Sequence, residues 1–96
     1  MSERLALSGE LNIYRAAELK QELLAAIAAA PALELDLAAV TELDTAGLQV
    51  LMLAKQAAGA LGRELHLVQH SAAVLEVFDL LDLGAWFGDA MLIAPH

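Results

Sequence analysis

Residues 42–51 read ELDTAGLQVL, which sets a carboxylate, a hydroxyl and a glycine close together where an apolar helical pattern begins. Two chemistries suit that order. Asp44 or Thr45 can accept a hydrogen bond from the unsatisfied amides at a helix start, and an acid is favoured there by the helix dipole. On this reading Asp44-Thr45-Ala46-Gly47 is a strand-to-helix turn in which Gly47 lets two backbones approach closely. The other reading makes Thr45 a modification site. A helix N-terminus accommodates phosphate, and the added negative charge would face any docked protein.

Other reactive groups are less well placed. His66 and His70 on one extended strand stand about 13 Å apart, too far to share a zinc ion at about 2 Å. Both are read as strand side chains. Asp36 and Asp44 invite an acid–base reading, but no basic or nucleophilic partner joins them in the sequence, so no enzyme is expected. The run Gly59-Ala60-Leu61-Gly62-Arg63 lacks the Gly-Lys-Ser/Thr ending of a phosphate-binding loop and suits a helix C-terminus instead. Trp86 and Phe87, between Gly84 and Gly88, are expected to close one end of the core, with a second interaction surface as the other option. No metal or cofactor is expected.

The elements that must position Thr45 follow from periodicity. Leu33, Leu35 and Leu37 alternate with Glu34 and Asp36, and Leu5/Leu7, Leu11/Ile13 and Leu65/Leu67 alternate similarly, each strand keeping one polar face. Parallel strands covered on both sides read as continuous apolar runs, so helices are expected on one sheet face only. Three helices are predicted, over Arg15–Ala30, Thr45–Ala60 and Ser71–Leu83, with Ser71 as an N-cap. The predicted order is strand, strand, helix, strand, helix, strand, helix, with Ser8-Gly9 as a hairpin turn and the crossover helices joining parallel strands. A short edge strand is expected at Met91–Ile93.

The middle helix has two apolar arcs. Val50, Leu53, Ala54, Ala57 and Ala58, extended by Leu61, form the predicted core arc, and Thr45, Leu48, Gln49, Met52 and Gln56 fall opposite. Leu48 and Met52 are then surplus to the core. Either neighbouring segments cover them, or Leu48, Gln49, Met52 and Gln56 form a partner-docking patch beside Thr45.

Composition narrows the function classes. With 96 residues and 59% hydrophobic content, the chain fits one compact domain over 1–96. Its formal charge of -8 disfavours nucleic acid and anionic membrane surfaces, and suits a partner with a basic face. Cysteine is absent, which removes thiolate chemistry and disulfides. Mean hydropathy is +0.60, yet no uncharged run exceeds 11 residues, and the most apolar of them, residues 23–33, contains Pro31. A membrane span needs about 20, so no membrane insertion is expected. With no apolar leader in MSERLALSGE, the expected location is cytoplasmic.

The chain resembles the STAS domain of bacterial anti-sigma-factor antagonists. The family's Asp-Ser/Thr-x-Gly segment corresponds to Asp44, Thr45, Ala46 and Gly47, and it follows ELDLAAVTEL, which is similar to the family's third strand with its acid at Asp36. YRAAELKQELL, GRELHLVQHS and VFDLLDLGAWF resemble the first helix, fourth strand and last helix. The fold implied is α/β, a single STAS-like domain with a mixed β-sheet and helices packed on one face. The function implied is a non-enzymatic switch. Unmodified, such a protein binds an anti-sigma factor that is also a serine/threonine kinase; phosphorylation of the motif hydroxyl, here Thr45, breaks the complex, and a phosphatase resets it. Asp44 would shape the helix entry and Gly47 permit close approach. Threonine replaces the commoner serine, and Ala38-Ala39 replaces a polar pair often found there. The threonine form also resembles the small STAS subunit of bacterial lipid-transport ABC systems, which docks on an ATPase, and short STAS adaptors associated with chemotaxis are similar too.

Overall fold

In the computed structural model, which describes residues 3–88, the order is β1 (Glu3–Leu11), α1 (Ala16–Ala29), β2 (Ala32–Leu43), α2 (Thr45–Ala60), β3 (Glu64–Val68), α3 (Ala72–Leu80) and a single turn, α4 (Gly84–Phe87). The architecture is α/β. The sheet runs β1-β2-β3, and both pairings are parallel, as the two crossover helices require.

The hairpin expected at Ser8-Gly9 does not form. Gly9 has a φ of 75°, open to glycine at little cost, and β1 continues through it to Leu11. The irregularity falls in β2, whose register against β1 slips by one residue between Ala6 and Ser8 and again between Gly9 and Glu10. Each slip is a bulge, and each changes the phase of β2. Leu33, Leu35 and Leu37 are buried at a period of two, whereas Leu37, Val40 and Leu43 are buried at a period of three. The bulges thus keep Leu37, Val40 and Leu43 aimed at the core while Ala38, Ala39, Thr41 and Glu42 face out. Asp36 serves the first of them by accepting the Ala38 N–H at 2.9 Å.

The core lies on one side of the sheet. Leu7 and Leu11 of β1, Leu65 and Leu67 of β3, Leu19, Leu23 and Ile27 of α1, and Val74 and Phe78 of α3 form one buried cluster with β2 and α2. The other sheet face carries Arg4, Glu34, Asp36 and His66, all more exposed than Leu35, Leu37 and Leu67. Arg4 bridges Glu34 at 3.1 Å and Asp36 at 3.6 Å across that face. Exposed pairs of this kind contribute little to stability, but they do make a polar open face.

Helix ends follow local chemistry. Ser71 caps α3 by accepting the Val74 N–H. At the end of α2, Arg63 donates to Ala58 O and Gly62 to Gly59 O, with Gly62 at φ 67°. The end of α3 repeats the pattern through Leu83 to Phe78 O and Asp82 to Asp79 O, but the left-handed position is Asp82, at φ 53°. Phe87 is buried and stacks on Phe78 at 4.9 Å, whereas Trp86 is half-exposed at the rim. The expectation for 91–93 lies outside the described residues.

Candidate functional site

The site begins at the C-terminal end of β1. The Leu11 carbonyl accepts the Asp44 N–H at 3.2 Å, which brings the end of β2 and the start of α2 against it. The same carbonyl dictates the glycine: a Cβ on Gly47 would lie 2.1 Å from Leu11 O and 2.7 Å from its carbon. No side chain fits there, and the first turn of α2 rests directly on the strand.

Asp44 joins three segments. Its Oδ1 accepts the Gly47 N–H at 2.9 Å, the N-cap bond, and its Oδ2 accepts the Ile13 N–H at 3.1 Å from the loop between β1 and α1. A single carboxylate therefore fixes both the helix start and the adjacent loop. Thr45, the first residue of α2, is exposed beside that loop. Its hydroxyl sits in the first helical turn, where the dipole tolerates added negative charge.

Strand-end acids surround the site. Glu10 and Glu42 are register partners on β1 and β2. Their hydrogen-bonded contact raises the Glu42 carboxyl above its ordinary value of 4.5, and the charges of Glu10 and Asp44 push it the same way. Asn12 Nδ2 reaches Glu10 at 3.4 Å, linking this pair to the loop.

Along α2 the exposed stripe is Thr45, Gln49 and Gln56, as the helical period predicts. Leu48 is a correction. It is 5% exposed and belongs to the core, because α2 packs against both α1 and β3 and so buries a wide arc centred on Gly47, Leu51, Ala54 and Ala58. Leu51, absent from the predicted core arc, is fully buried, whereas Leu53 and Leu61, assigned to it, are exposed. Met52 lies at the margin, partly buried against the core.

Asp36 is not brought to Thr45. It lies seven residues down β2 from Leu43, about 23 Å of strand, and faces the open sheet surface with Arg4. Asp36 and Asp44 therefore do not form a carboxylate pair. His66 is exposed on the open face and His70 is buried edge-on to Phe78 at 5.6 Å.

Ile13, bonded to Asp44, and Tyr14 lie in the β1–α1 loop, where no periodic pattern singles them out for the site. Ile13 alternates with Leu11 and so read as strand, but β1 ends at Leu11, leaving Ile13 67% and Tyr14 95% exposed. Asn12, a turn former directly after Leu11, is the signal that breaks the strand pattern.

The family model described as "Mlab, STAS domain" matches residues 2–93, and the chain belongs to the STAS domain family. Among solved structures it is similar to an anti-sigma factor antagonist from Mycobacterium paratuberculosis, with a TM-score of 0.80 and 27% identity over 99% of this chain and 78% of that one. The fold is also that of the anti-sigma factor antagonist SpoIIAA in its unphosphorylated form, with a TM-score of 0.73 and 22% identity over 94% of this chain and 80% of that one. Among curated protein sequences there is no match.

Proposed function

We propose that this protein is a phosphorylation-controlled interaction switch of the anti-sigma-factor-antagonist type. It binds a kinase-type anti-sigma partner while Thr45 is unmodified and is released when Thr45 is phosphorylated. The observation that carries the reading is the exposed Thr45 on the first turn of α2, braced below by Gly47 against Leu11 and beside by the Asp44 carboxylate. The similarity to an anti-sigma factor antagonist of 27% identity supports the partner class.

In the transfer step Thr45 Oγ1 attacks the γ-phosphorus of the partner's ATP. The Oγ1–P bond forms, the bond to the β–γ bridging oxygen breaks, ADP leaves, and the hydroxyl proton passes to a base on the kinase. This chain contributes placement only: a hydroxyl on a rigid helix start, with Gln49, Gln56 and the edge of Met52 as flanking contacts. A phosphatase returns the hydroxyl by hydrolysis.

Release follows from charge. Phosphate adds about -1.5 to -2 charges where the nucleotide phosphates of the kinase must approach, so like charges meet in a desolvated interface. Such mismatches cost roughly 2 to 5 kcal/mol, or about 30-fold to several thousand-fold in affinity. Binding of Thr45→Ala and Thr45→Glu chains to the purified kinase tests this. Thr45→Ala should bind like the unmodified chain and Thr45→Glu at least about 30-fold more weakly; equal binding by the two would reject the switch.

A docking subunit on an ABC ATPase is the second reading. Threonine in place of the commoner serine favours it, as does the description of the matching family model. It would use the same α2 stripe without turnover of phosphate at Thr45.

A further inference from the structure

The β1–α1 loop displays its two largest apolar side chains to solvent on a backbone that is held in place. Ile13 is 67% and Tyr14 95% exposed. The Ile13 N–H is accepted by Asp44 Oδ2 at 3.1 Å, the Tyr14 N–H by Asn12 Oδ1 at 3.1 Å, and the Arg15 N–H by Asn12 O at 3.0 Å. The Arg15 guanidinium also donates to Ser8 O at 2.6 Å, fastening the loop to β1. Isolated exposed apolar residues are ordinary on a protein surface, but an adjacent pair on a rigid loop loses little entropy when it docks. Tyrosine is also enriched among the residues that dominate binding energy.

We propose that Ile13 and Tyr14 are the apolar anchor of the docking face beside Thr45, and that they take a partner surface whose apolar pocket is rimmed by basic side chains. Charge complementarity identifies the rim. Glu10 and Glu42 stand side by side at the strand ends, and Asn12 ties Glu10 to the loop. Two like charges held together are relieved by a cation placed between them, and Lys or Arg on the partner would supply it. The basic rim faces the strand ends, while the nucleotide of the partner faces the helix start at Thr45. Asp44 touches both halves through Gly47 and Ile13, so the anchor and the hydroxyl keep a fixed relation to each other.

This inference rests on the switch reading for the identity of the partner, and its test separates the two. The probe is the purified kinase-type anti-sigma protein, titrated with wild-type chain, Tyr14→Ser, Ile13→Ser, the double variant Glu10→Gln/Glu42→Gln, Thr45→Glu and the distant control Leu80→Ser. Tyr14→Ser should leave the thermal midpoint within about 4 °C, since the side chain is almost wholly exposed, yet weaken binding by about 30-fold. Ile13→Ser should weaken it by about tenfold. The double variant should slow association by roughly tenfold with little change in dissociation, and should flatten the salt dependence seen with the wild type. Leu80→Ser should bind as the wild type does. Tyr14→Ser binding within twofold of wild type overturns the anchor and leaves the switch standing if Thr45→Glu still fails to bind. Unchanged association and salt dependence in the double variant overturn the basic rim. A wild-type chain with no affinity for the kinase removes both the anchor and the switch.

Discussion

Gly47→Ala isolates the contact on which the Thr45 platform rests. In an ordinary helix this change stabilises by about 0.5–1 kcal/mol, because alanine loses less backbone freedom on folding. Here the new Cβ would fall 2.1 Å from Leu11 O and 2.7 Å from Leu11 C, both backbone atoms that cannot swing aside. An unstrained contact is above 3 Å, so the first turn of α2 must retreat by about 1 Å. That retreat strains the Asp44 N–H bond to the same carbonyl and opens gaps beside Leu48 and Leu51. A gap of 0.5–1 Å forfeits about a quarter to a half of each dispersion contact, and overpacking costs typically 1–3 kcal/mol, occasionally more. With about 3–4 kcal/mol against a helical gain of about 1, the net loss is about 2–3 kcal/mol, or roughly 10–20 °C in thermal midpoint for a domain of this size. Gly59→Ala is the matched control: it is in the same helix with nothing within 4 Å of the added methyl, and should gain about 0.5–1 kcal/mol. Urea denaturation of the three chains, followed by circular dichroism, measures both. A Gly47→Ala chain as stable as wild type would refute the close approach of α2 to β1.

Asp44→Ala removes the N-cap bond and the acceptor for Ile13 N–H together, and should cost about 2 kcal/mol by denaturation, with faster amide exchange at Ile13 and Gly47. Asp82→Gly should stabilise by about 0.5 kcal/mol, because Asp82 holds the left-handed position at the end of α3; an unchanged or lower midpoint would count against that geometry. Glu42 binds its proton more tightly folded than unfolded, so it favours the folded state at low pH and loses that contribution as pH rises from 4.5 through the raised folded value. Glu42→Gln should therefore flatten stability against pH in that window, and an NMR titration of Glu42 that midpoints at or below 4.5 would contradict the shift.

Much of this fold was legible because local signals agreed. The period of two in ALELDL put Leu33, Leu35 and Leu37 on one face, and Thr45–Ala60 has the bounds its pattern predicts. Ser71 caps its helix as its type suggests. The misreadings arose where tertiary contacts override a local pattern. Ser8-Gly9 reads as a hairpin, yet Gly9 accommodates its positive φ within a strand while the two bulges fall in β2. A helical wheel offers no way to know that α2 is packed on two sides, so it leaves Leu48 open between a covered residue and a docking contact and places Leu51 in neither arc. Residue type and order also point to Asp44 as the helix cap and to Gly47 as the point of close approach, and both take those places. The Asp44 bond to Ile13 spans 31 positions and leaves no periodic trace, which is why the loop was missed.

The role of Thr45 is decided by incubating the chain with the kinase-type partner and ATP, mapping the phosphate by mass spectrometry, and measuring partner binding by the stoichiometrically phosphorylated product. The prediction is phosphate on Thr45 alone, none on a Thr45→Ala chain, and binding weaker by at least about 30-fold. Phosphate on another residue, or undiminished binding with Thr45 fully phosphorylated, would contradict the switch and leave the docking-subunit reading in its place.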